Sequence, residues 1–78
     1  MVADGPKTPA AELDLLEEEI AELERGTTEL RRRIGERTEY PTDPAEVSLL
    51  LTEAEEQEAI LASLKERRDA LKDRLGQP

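Results

Sequence analysis

The chain has 78 residues, a formal net charge of −9 and 40% charged residues, with Tyr40 as its one aromatic side chain. It contains no cysteine and no histidine, which excludes disulfides, cysteine zinc sites and the commonest general base and metal ligand. The acidic balance opposes non-specific binding to nucleic acid or to an anionic membrane, and no apolar run approaches the ~18 residues of a membrane span.

Residues 1–8 hold Gly5 and Pro6 and show no hydrophobic period, so a loose tail is expected there. The start is too polar for a signal peptide, and a cytoplasmic protein is the default expectation. Thr8-Pro9 reads as an N-cap followed by proline at the first helical position, where its missing N–H costs nothing. Leu13, Leu16, Ile20, Leu23, Thr27, Leu30 and Ile34 then alternate steps of three and four, the a and d positions of a heptad. They predict a first helix over about 9–37. Gly26-Thr27-Thr28 leaves two readings open: one straight helix with a soft layer, or a break in which Gly26 ends one helix and a threonine caps the next.

A turn is expected over 38–43, where Tyr40-Pro41 disfavours helix. Asp43-Pro44-Ala45-Glu46 then opens a second helix over about 44–75. Asp43 suits the N-cap, Pro44 the first position, and Glu46 the reciprocal partner of a capping box. Val47, Leu50, Ala54, Gln57, Leu61, Leu64, Arg68, Leu71 and Leu75 continue the heptad, and Gly76 stands where a C-cap glycine belongs. Gln57 at a core position suits a register-fixing role, whereas Arg68 near the open end can carry its head group to water.

Charge orients the pairing. Residues 10–25 carry seven acids against Arg25, and residues 29–37 carry four arginines against Glu29 and Glu36. The second helix reverses the order, with five acids and no base over 46–58, then five bases against three acids over 64–75. Folding back at the turn sets acid beside base at both ends. The predicted fold is therefore all-α: an antiparallel two-helix coiled-coil hairpin over 9–76. Leu49, Leu51 and Ile60 widen the apolar stripe beyond a and d. With so small a core, they make dimerisation into a four-helix bundle an expectation.

No nucleophile–base pair, glycine-rich phosphate loop or metal-ligand spacing is present, so no catalytic residue, cofactor or metal is expected. Arg31-Arg32-Arg33 fits a salt-bridged helix face better than a nucleic-acid contact, since successive helical residues point ~100° apart. The hairpin tip gathers Glu39, Tyr40, Asp43 and Glu46 as a candidate interaction surface, although Asp43 and Glu46 also serve as caps.

An antiparallel coiled coil with this acidic tip resembles the coiled-coil factors that enter the secondary channel of bacterial RNA polymerase, the DksA/TraR family and the Gre factors. The DksA tip has two acids three apart and then an alanine. Asp43-Pro44-Ala45-Glu46-Val47-Ser48 is similar, with Glu as the second acid and Ser for the alanine. Glu53-Ala54-Glu55-Glu56-Gln57-Glu58 and Lys65-Glu66-Arg67-Arg68 also resemble that family, and Ala45-Glu46 resembles the Gre pattern. Tyr40 falls where the Gre pattern has an acid, and the zinc cysteines and globular domain are missing. The resemblance implies a transcription regulator that contacts RNA polymerase through its tip. The residues alone imply a protein-binding module, with a coiled-coil adaptor, anti-sigma-type or oligomerisation protein, or a helper subunit of an enzyme complex, as alternatives.

Overall fold

The computed structural model describes residues 8–39 and 43–76, so Tyr40 and all of the expected tail over residues 1–8 except Thr8 lie outside the described residues. Two helices, α1 (Pro9–Thr38) and α2 (Pro44–Arg74), pack against each other as a helical hairpin. The described residues include no strand.

Both starts follow from local chemistry. Thr8 is extended and its hydroxyl accepts from the Ala11 N–H at 3.1 Å. Asp43 is extended as well, and its carboxylate accepts from the Ala45 N–H at 3.0 Å. Each side chain thus satisfies a backbone donor that the first helical turn leaves open. At the far end Gly76 adopts φ +75° and donates its N–H to the Asp73 carbonyl at 3.0 Å. That left-handed conformation closes α2 without the Cβ clash another residue would meet.

Helix α1 runs for 30 residues, about 45 Å, without a break at Gly26. The alternative of three helices is thereby removed. Leu23 packs on one side of the soft layer and Leu30 is buried on the other, so tertiary packing outweighs the poor helix propensity of glycine.

Every buried side chain among the described residues occupies an a or d position. Leu16, Ile20, Leu61 and Leu71 form one cluster, flanked by Leu13, Leu23 and Leu64. Leu30, Ile34 and Ala54 form a second, flanked by Leu50. Val47 and Leu75 are half-buried at the two ends of α2. Ile20 thus belongs to the same cluster as Leu61, and Leu50 flanks the cluster that holds Leu30. At ~1.5–3 kcal/mol for each fully buried large apolar side chain, so short a list makes a small core. Arg68, half-buried, places its guanidinium 3.1 Å from the Asp69 carboxylate. Among the described residues no helix is long and apolar enough to cross a membrane.

Candidate protein-interaction surfaces

Between the two apolar clusters lies a polar layer. Thr27 is buried, with its hydroxyl oxygen 2.8 Å from the Leu23 carbonyl and 3.1 Å from Gln57 Oε1. A hydroxyl carries one proton, so it cannot donate to both acceptors. Both contacts are satisfied when Thr27 donates to Leu23 and the Gln57 amide turns its NH₂ toward Thr27. The sequence marks both residues as core polar positions; their pairing emerges only once the helices are in register.

One flank of the hairpin is closed by charge. Glu17 meets Lys72 at 4.0 Å, Glu24 meets Lys65 at 2.9 Å, and Arg31 meets Glu58 at 2.7 Å. These are e positions on both helices, seven residues apart, so the three pairs form a ladder along one side. The Arg31 fork binds both Glu58 oxygens. Its hydrogen bonds hold the Glu58 carboxyl below, and Arg31 above, their ordinary ranges. Along α1, Arg32 bridges Glu29 and Glu36, and Arg33 stands 3.9 Å from Glu29. The Arg32 hydrogen bond lowers the Glu29 pKa. The arginine triplet is thus engaged with carboxylates.

The opposite flank is open. Toward the open end of the hairpin, a shallow groove is lined by Glu12, Leu15 and Glu19 of α1 and Arg67, Ala70 and Arg74 of α2. Its rims carry opposite signs, yet among the described residues neither arginine is ion-paired. Leu15 is 63% exposed, Leu49 71% and Ile60 54%. Ile60 lies one heptad before Arg67, and Leu49 lies four residues before Glu53, the next heptad step, so both continue the same flank. Among the described residues, only Leu51 of the four exposed large apolar side chains stands on the ladder side. Leu49 and Ile60 were visible in the sequence as apolar residues outside the seam. Leu15 is not distinguished by the a and d pattern, and only its heptad position beside Glu12 and Glu19 signals its place on this flank.

Among the described residues the tip holds less that is free. Asp43 is committed to its cap, and the Glu46 carboxylate meets the Arg37 guanidinium across the hairpin. The sequence suggests a capping-box role for Glu46; its observed partner is on α1 instead. Glu39 is exposed at the end of α1, its backbone N–H donating to the Glu36 carbonyl at 3.3 Å. Among the described residues no group of three or more acids could hold a metal ion. No family model, curated protein or solved structure matches the chain.

Proposed function

We propose that the chain is a non-enzymatic protein–protein interaction module whose working surface is the open flank of the hairpin. The asymmetry of the two flanks carries this reading. A ladder of ion pairs occupies one side, whereas Leu15, Leu49 and Ile60 stand exposed among charged residues on the other. Apolar residues framed by charge suit a protein partner, which covers the former and pairs with the latter.

A second reading makes the chain a cytoplasmic transcription regulator that inserts its acidic tip into RNA polymerase. It draws on exposed Glu39 and on Tyr40, while Asp43 and Glu46 already have structural partners. Affinity capture from cell extract, read by mass spectrometry, distinguishes the two. The whole chain is compared with a Leu15→Glu/Ile60→Glu variant and with a Tyr40→Ala/Asp43→Asn/Glu46→Gln variant. Partners lost with the flank variant and kept by the tip variant are expected. Polymerase subunits lost only with the tip variant would reverse the assignment.

A further inference from the structure

The open flank bears a charge pattern that fits itself. In heptad steps along α1 it carries Glu12, Glu19, Gly26 and Arg33; along α2, read from the open end toward the tip, it carries Arg74, Arg67, Ile60 and Glu53. Every charged step on one helix thus has the opposite sign at the matching step on the other. Within one hairpin Glu12 and Glu19 line the same groove as Arg67 and Arg74, yet none of these four is ion-paired among the described residues.

Gly26 adds a second observation. It sits in the middle of an unbroken helix with no positive φ, and a Cβ built on it would meet nothing within 4 Å. Nothing inside the hairpin therefore requires glycine there, although only proline is a weaker helix former. Its matching step on α2 is Ile60, an exposed β-branched residue. A side chain with nothing to fill and a gap with nothing in it lie at the same height.

We propose that a second copy of this chain docks on the open flank, turned by a half-rotation about the long axis of the hairpin, tip beside tip. This rests on the flank reading above and names its occupant. The rotation lays α1 of each copy along α2 of the other, antiparallel, as in a four-helix bundle. Glu12 and Glu19 then face the second copy's Arg74 and Arg67, Arg33 faces its Glu53, and Gly26 receives its Ile60. Symmetry makes each contact twice.

Sedimentation equilibrium of the full chain at micromolar concentration tests this, with a mass twice the 8.7 kDa of the chain expected. Ile60→Glu should weaken the dimer at least tenfold while helicity by circular dichroism holds. Glu12→Arg/Glu19→Arg and Arg67→Glu/Arg74→Glu should each remain monomeric alone and associate when mixed. Mixing cannot relieve a repulsion inside one hairpin, so rescue reports the contact between copies. In that mixture, Glu12→Cys on the Arg67→Glu/Arg74→Glu chain should disulfide-link to Arg74→Cys on the other. A monomer at every concentration overturns the proposal, as does a dimer indifferent to these substitutions. If a monomer still captures another protein through Ile60, the flank reading survives and the second copy is the wrong occupant; if it captures nothing, both fail.

Discussion

Thr27 and Gln57, thirty residues apart in the chain, meet with 3.1 Å between their side-chain oxygens, and theirs is the polar layer separating two apolar clusters. Replacing a satisfied polar pair by apolar residues of similar shape is often neutral or stabilising, whereas removing one partner strands the other. Thr27→Val should therefore destabilise by ~1 kcal/mol, and Thr27→Val/Gln57→Leu should recover that loss or exceed it. Urea denaturation of the three proteins measures both. A double variant less stable than Thr27→Val would mean that the pair is net stabilising.

Ala54 has no solvent exposure and packs with Leu30 and Ile34. Leucine is nearly as good a helix former, so propensity alone predicts little effect of Ala54→Leu. The enclosed site predicts otherwise, with a loss of ~1–3 kcal/mol from overpacking. Leu61→Ala, at a buried position in the other cluster, should cost ~2–5 kcal/mol and leave the chain largely unfolded. Thermal melts by circular dichroism check both changes.

The Arg31–Glu58 pair predicts a direction with pH. Glu58 has its pKa lowered from 4.5 in the folded state, first by the Arg31 hydrogen bond. A carboxyl depressed by folding contributes stability above its unfolded value, and loses it as pH falls through the folded value. The stability difference between the native chain and Glu58→Gln should thus be present at pH 7 and be lost in acid, as pH falls below the ordinary glutamate range and through the lowered value of the folded state. Comparing the two proteins at each pH cancels the self-repulsion of the remaining acids. A difference that persists unchanged at pH 2 would show that Glu58 acts by packing.

The tip separates cap from contact. Asp43→Ala should cost ~1 kcal/mol, and Asp43→Asn much less, because asparagine also accepts from the first turn. Glu46→Gln removes the charge facing Arg37. Under the flank reading, Asp43→Asn/Glu46→Gln/Tyr40→Ala keeps its partner with a slightly lower melting temperature. A tenfold loss of binding with intact helicity would place the tip in the interface.

The hairpin was readable because the physics that forms it is periodic. Leucines and isoleucines at steps of three and four mark the buried stripe, and Thr8, Asp43 and Gly76 announce helix ends through their own hydrogen-bonding or backbone chemistry. Continuity through Gly26 was ambiguous, since propensity and packing point in opposite directions there and only the assembled clusters weigh them. The interaction surface was harder to see. Which carboxylate takes Arg31, Arg37 or Lys65 depends on the register between helices, and Glu46 shows that a residue suited to a cap can find a cationic partner across the turn instead.

The ladder of Glu17–Lys72, Glu24–Lys65 and Arg31–Glu58 also selects the alignment of the two helices. A stripe of leucines repeating every seven residues cannot tell its native alignment from one slid by a heptad, because the same greasy layers fall into step again. The charges can. Sliding α2 by seven residues one way brings Glu24 against Glu58; sliding it the other way brings Arg31 against Lys65. The change of sign between Glu58 and Lys65, matched by that between Glu24 and Arg31, acts as a vernier, and it marks a single alignment on an otherwise repeating scale.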